Sequence, residues 1–152
     1  MKKRQTYLGF TLVELMITLA IVSILAAVAY PSYMNTVRRS NRAEAKTELM
    51  DIAQRLQRCY TAYGRFDDPG NLNRCTVYEQ MTSIAPNYIT TRGRGFYRIT
   101  ITHPGLPATS YTLTATANLA PQTLDVNGCN VLTLTSTGIQ GPVPAAPLPP
   151  CW

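Results

Sequence analysis

Gly9-Phe10-Thr11-Leu12-Val13-Glu14-Leu15-Met16-Ile17 opens the stretch that decides the fold. From Phe10 to Val37 the only charged residue is Glu14, and Leu15 to Val37 is 23 residues without a charge. A bilayer-spanning helix takes roughly 20 apolar residues, so the run is long enough. Lys2, Lys3 and Arg4 precede it as a short basic cluster, which is expected to stay on the cytoplasmic side. Buried helices of soluble domains rarely run this far without polar punctuation. A secretory signal has an apolar core of about 7–15 residues followed by a small-residue cleavage site. Ala26-Ala27-Val28-Ala29 could serve as such a site, but the run is too long and Glu14 sits in its first turn. A carboxylate at membrane depth costs roughly 2.5–3.5 kcal/mol on insertion scales, so Glu14 needs a partner or a task.

Outside that run the composition mainly excludes. The 152 residues suffice for about one domain. Fourteen basic and eight acidic residues give a net charge of +6, yet only 14% of residues are charged, against about 25% in an average soluble protein. With hydrophobic residues at 45%, a disordered polyampholyte is excluded. A nucleic-acid module normally carries denser Lys and Arg, so the balance fits one only weakly. The single histidine, His103, excludes any site needing two. Glu79 and Asp125 stand alone, and Asp67-Asp68 sits in a turn signal. No Ser/His/Asp spacing, phosphate-cradling Gly-rich loop or metal cluster is present in the sequence, so neither catalysis, a cofactor nor a metal is expected.

Pro31 removes a helical hydrogen bond and its ring crowds the carbonyl of Ala27. A kink, or an unwound stretch near residues 24–31, is expected there. Beyond it Ala45, Leu49, Ile52, Leu56, Cys59 and Tyr63 recur every three or four residues, while Arg38, Arg39, Arg42, Lys46 and Arg55 fill other positions. That is an amphipathic continuation of one helix from about Phe10 to Ala62. Asp51 and Arg55 stand at i, i+4, a minor aid. Arg38-Arg39-Ser40-Asn41-Arg42 reads as a solvated face or a lipid-headgroup contact. Gly64 and Asp67-Asp68-Pro69-Gly70-Asn71 end the helix. Residues 64–95 read as a connector with one short helical turn at Tyr78 to Met81. Strands are expected at Phe96 to Thr102, with Tyr97, Ile99 and Ile101 inward; at Tyr111 to Ala117, with Tyr111, Leu113, Ala115 and Ala117 inward; and at Asn130 to Thr135, with Leu132 and Leu134 inward. His103 belongs to an exposed loop between the first two, and Asn127-Gly128 is a turn before the third. The tail Gly141 to Pro150 holds five prolines and is expected to be irregular.

The string Gly9 to Glu14, with its basic leader and apolar helix, closely resembles the cleavage motif of type IV prepilins. The resemblance implies a dedicated membrane peptidase that cuts between Gly9 and Phe10 and methylates the new amine of Phe10. It implies an assembly role for Glu14, whose carboxylate can pair with such an amine, its own or that of the next subunit. The stretch through Pro31-Ser32-Tyr33 also looks like the pilin stem. In that family helical order is lost near the proline within filaments, although Ser23 stands where a glycine is common. The implied fold is α+β: a long N-terminal helix packed on a three- to four-stranded antiparallel sheet with a disulfide-closed C-terminal region. The implied organisation is a cleaved leader over 1–9, a transmembrane and filament-core helix over 10–35, and a periplasmic globular domain over 36–152.

Four cysteines allow three pairings, and none forms a CxxC pair. An even number on an exported domain favours disulfides. The expected set is Cys59–Cys75, closing the helix end onto the connector, and Cys129–Cys151, fastening the tail to the third strand. The second loop resembles the C-terminal disulfide region of pilins, and the Cys151-Trp152 ending is one that minor pilins of the PilE type often have. The resulting reading is a minor pilin of a type IV pilus. Its expected partners are other pilin subunits, the prepilin peptidase, the inner-membrane assembly platform and the inner membrane before assembly. A major pilin, a type II secretion pseudopilin and a DNA-binding pilin are the alternatives. The last rests on Arg92, Arg94 and Arg98 beside Phe96 and Tyr97, since basic and aromatic residues together can hold nucleic acid. A solvated loop leading into a strand is the plainer account of the same residues.

Overall fold

Thr11 and Glu14 open the first helix as a reciprocal cap. Glu14 Oε2 accepts from the Thr11 N–H at 3.0 Å and from Thr11 Oγ1 at 2.9 Å, while the Glu14 N–H donates back to Thr11 Oγ1 at 3.3 Å. This is the Thr-x-x-Glu capping box, which satisfies donors that a helix start otherwise leaves open. In the computed structural model, which describes residues 9–67, 74–125, 128–142 and 151–152, helix α1 then runs Leu12–Tyr63. The expected leader cluster, the Asp68 to Asn71 turn, Asn127 and most of the proline-rich tail lie outside the described residues. The chain divides into two compact units between Thr36 and Val37.

The first unit is apolar helix. Its large hydrophobic side chains, from Phe10 at 90% to Ile21 at 53%, are exposed. The helix is long and apolar enough to cross a membrane. Pro31 lies inside it and the helix continues unbroken, so the unwound stretch expected as one form over residues 24–31 is absent. One missing donor opposite the Ala27 carbonyl does not end a helix whose flanking turns are intact.

The second unit holds the rest of α1, a short helix α2 (Thr76–Thr82) and a five-stranded antiparallel sheet in the order β1-β2-β3-β4-β5. The strands are β1 (Ile89–Thr90), β2 (Tyr97–Thr102), β3 (Thr112–Ala117), β4 (Val131–Thr135) and β5 (Gln140–Gly141). A 3-10 turn at Gln122–Leu124 lies between β3 and β4. Each strand neighbours the next in sequence, so the sheet is a meander. Register stacks Ile99, Ala115 and Leu132 in one line and Ile101, Leu113 and Leu134 in another. All six are buried and share one core with Ala45, Leu49, Ile52 and Leu56 of α1. Period 2 on the strands and period 3.6 on the helix thus point their apolar faces at each other.

The structure adds to the expected architecture and corrects it in places. The sheet gains two edge strands of two residues, too short to show alternation. Gly141, assigned to an irregular tail, lies in β5 and pairs with Thr133. Tyr63 ends the helical stripe half exposed rather than buried. The Arg38 to Arg42 cluster is not uniformly solvated, since Asn41 and Arg42 are buried. Arg42 donates to Asp125 through Nε at 2.8 Å and Nη2 at 2.8 Å, and Gln122 Nε2 donates to the same carboxylate at 3.0 Å. Asp125 is therefore not isolated: its pairing ties the β3–β4 connection to α1. A buried carboxylate survives only with such partners.

Candidate nucleic-acid interface

The connection from β1 to β2 is a turn over Thr91 to Phe96 that carries the arginines. Thr91 donates its N–H to Tyr97 O at 3.1 Å, and the Tyr97 N–H donates to Thr91 Oγ1 at 3.4 Å. Gly95 takes φ +68°, a left-handed conformation that glycine adopts without strain. These bonds close the neck of the turn and leave Arg92, Gly93 and Arg94 exposed at its tip.

The three arginines do different things. Arg92 lies against α1, with Nε 3.2 Å from Glu48 Oε2 and Nη2 3.0 Å from Asp51 Oδ2. Asp51 also pairs with Arg55 at 2.7 Å. Arg98 stacks over the Tyr88 ring at 4.1 Å and donates to Asn118 Oδ1 at 3.2 Å. Arg94 is exposed and makes no ion pair among the described residues. Phe96 and Tyr97, the aromatic residues that sequence reading placed beside the arginines, are both buried in the core. They offer no face for stacking bases. Tyr88, half buried beneath Arg98, is the aromatic residue that lies at this surface. Tyr88 and Asn118 were not legible as partners of Arg98, because only the pairing of Thr90 with Arg98 and of Thr116 with Arg98 brings them close.

The remaining sequence-marked residues lie elsewhere. The Gly9–Phe10 bond precedes α1 in an exposed stretch, with Glu14 in the cap described above. Cys59 is bonded to Cys75 and Cys129 to Cys151, with Cα separations of 5.7 and 5.4 Å. The first joins the end of α1 to the residue before α2. The second holds the chain end beside β4, where Trp152 Nε1 donates to Gly141 O at 2.6 Å. His103 is half buried rather than a free loop residue: its Nε2 lies 2.9 Å from the Tyr78 hydroxyl. Burial, and behind it the Asp125 carboxylate, push the Tyr97 hydroxyl well above its ordinary range, so it stays protonated and donates to Cys129 O at 3.0 Å. Among the described residues no group of three His, Cys, Asp or Glu side chains could hold a metal ion.

Charge favours a polyanion at this unit. Residues 37–152 carry 11 basic side chains against 7 acidic ones. Two of the basic groups, Arg42 and Arg65, are held by internal carboxylates at Asp125 and Asp67.

Comparison with known proteins gives this geometry a setting. The type IV major pilin protein PilA of Myxococcus xanthus is 41% identical over 63 residues, 41% of this chain and 29% of that protein. The fimbrial protein EcpC of Eikenella corrodens is 55% identical over 42 residues, 28% of each chain. The type IV major pilin protein PilE1 of Neisseria gonorrhoeae is 60% identical over 81 residues, 53% of this chain and 48% of that protein. The chain spans about a third of the length of the first curated relatives it matches. A type IV pilin structure from Shewanella oneidensis aligns with 19% identity and a TM-score of 0.45, covering 76% of this chain and 97% of that one. The prokaryotic N-terminal methylation motif matches residues 4–30. Residues 31–133, from Pro31 to the middle of β4, match the family described as type IV minor pilin ComP, DNA uptake sequence receptor. That match covers more than half of the chain: the protein is a type IV pilin and belongs to this minor-pilin family.

Proposed function

We propose that this chain is a minor subunit of a type IV pilus that captures duplex DNA at the filament surface. The single observation that carries the reading is the family match over residues 31–133, which contains the whole β1–β2 turn and its arginines. The exposed basic surplus of residues 37–152 supports it, because phosphate contact supplies most of the affinity in such complexes. In this reading the exposed Arg94 and Arg98 are the side chains that meet a phosphate backbone. Arg92, already held by two carboxylates, is not.

The rest of the life cycle follows from the N-terminal motif. The peptidase cuts after Gly9 and methylates Phe10. Residues 10–35 sit in the inner membrane until the assembly platform draws them into the filament, where other pilin stems cover them. Residues 36–152 face the periplasm and then the exterior. The chain is a substrate of enzymes and not itself a catalyst. The major-pilin reading keeps a foothold because several relatives bear that description.

Deleting the gene and scoring filaments and DNA uptake separately tests the proposal. Normal filaments with uptake lost is the expected result. Disappearance of the filaments selects the major-pilin reading. Normal filaments with normal uptake rejects the DNA role.

A further inference from the structure

Glu44, Glu48 and Asp51 stand at i, i+4 and i+7 of α1, so they line one face of the helix as a row of like charges. The β1–β2 turn lies on that row. Arg92 bridges Glu48 and Asp51. One residue on, the Gly93 N–H donates to Glu44 Oε1 at 2.6 Å, a short bond of the charge-assisted kind. The bare Cα of Gly93 leaves the Glu44 carboxylate room in its present position. A Cβ there would lie 2.8 Å from Glu44 Oε2 and 2.9 Å from Oε1, so any side chain pushes the carboxylate away. The next residue is Arg94, the exposed arginine with no ion pair among the described residues.

We infer that Glu44 is a positioning residue for DNA capture: through Gly93 it fixes the turn so that Arg94 meets the phosphate backbone in one conformation, with Arg92 as the latch. This rests on the DNA-binding reading and assigns its parts. Without the latch, the tip must be ordered when DNA binds, and fixing about one residue of backbone corresponds to roughly a tenfold loss in affinity. Simple electrostatics demands the opposite sign. Removing the Glu44 charge from a surface that approaches phosphates should tighten binding.

That difference in sign makes the test. Duplex DNA binding to the purified full chain in detergent is measured against salt for the unaltered protein, Glu44→Ala, Glu44→Gln, Gly93→Ala and Arg94→Ala. Glu44→Ala and Gly93→Ala should each weaken binding about tenfold. Gly93→Ala does so with no change of charge. Glu44→Gln, whose amide oxygen still accepts from Gly93, should bind at least as well as the unaltered chain. Arg94→Ala should lower the salt slope by about 0.9, one phosphate, and Glu44→Ala should have no further effect in its background. Tighter binding by Glu44→Ala, or additive losses in Glu44→Ala/Arg94→Ala, overturns the inference while leaving the DNA reading intact. Failure of the unaltered chain to retain duplex DNA overturns both. Amide exchange at Gly93, measured without DNA, should speed up in Glu44→Ala, and an unchanged rate removes the latch itself.

Discussion

Asp67 accepts from Arg65 Nε at 2.9 Å and from the Ala108 N–H at 2.7 Å, and the Phe66 N–H returns a bond to Ala108 O at 2.8 Å. One carboxylate thereby pins the chain after α1 to the connection between β2 and β3. The Arg65 hydrogen bond, opposed by burial and aided by the Ala108 N–H, holds the Asp67 carboxyl below the usual carboxylate range. The sign follows directly. The folded-state value lies below the unfolded one, so the contribution is fully present above the unfolded value of about 3.9 and is lost as pH falls through the folded value. Asp67→Asn should cost about 1.5–3 kcal/mol at pH 7, the range for hydrogen bonds to a charged group. It should also flatten the acid limb below about pH 4. Urea unfolding of both proteins across that pH range measures the effect, and parallel acid limbs would refute it. None of this was legible in the sequence, where Asp67 looked like half of a turn signal. The same holds for Arg42 and Asp125, which are 83 residues apart and meet only in the folded chain. A charged residue announces that it needs a partner, but not which one. By contrast, Thr11-x-x-Glu14 carried its capping role in four adjacent residues, and reading Glu14 as a membrane liability and a partner for the Phe10 amine passed over it.

At the scale of elements, legibility followed length and periodicity. The inward residues of β2, β3 and β4 stood out because six or five residues suffice to show period 2, and the buried stripe of α1 because four turns show period 3.6. β1 and β5 have two residues each and no period to show. Helix α2 extends to seven residues, past the single turn expected at Tyr78 to Met81, and encloses Val77, Tyr78, Glu79 and Met81 in buried positions. The two disulfides brace the segments that lack such regularity. Their bonded residues are 16 and 22 positions apart. On chain-entropy grounds a loop of that size contributes about 3 kcal/mol. Cys129→Ser/Cys151→Ser should therefore lower unfolding stability by about 3 kcal/mol. The loss should appear in the chain end first, because Trp152 reaches Gly141 only from the residue that Cys151 anchors. Denaturant unfolding, with hydrogen exchange at Thr133 and Leu134 opposite β5, gives both readings. A loss confined to global stability, with β5 pairing as protected as before, would show that the edge strand stands without the disulfide.

For the whole molecule, the governing fact is an apolar helical segment whose side chains no other part of its own unit covers. Patches of that kind mark a surface meant for lipid or for protein. In the proposed life cycle, filament assembly would exchange one cover for the other, and Glu14 is the only charge within the segment from Phe10 to Val37. Its carboxylate has one use in the structure and a second that the N-terminal motif proposes. In the uncleaved chain it caps α1 by accepting from Thr11. Cleavage after Gly9 would place an α-amine on Phe10, four residues earlier, where a neighbour's or its own amine can pair with the carboxylate. Glu14→Ala removes both uses, whereas Glu14→Gln keeps an oxygen that accepts from Thr11 and loses only the charge. If pairing with the amine governs assembly, both variants are cleaved normally and neither enters filaments. Mass measurement of the mature chain reports the first outcome, and immunoblots of sheared filaments the second. Recovery of Glu14→Gln in filaments would assign the residue to capping instead, and normal incorporation of Glu14→Ala would remove Glu14 from assembly altogether.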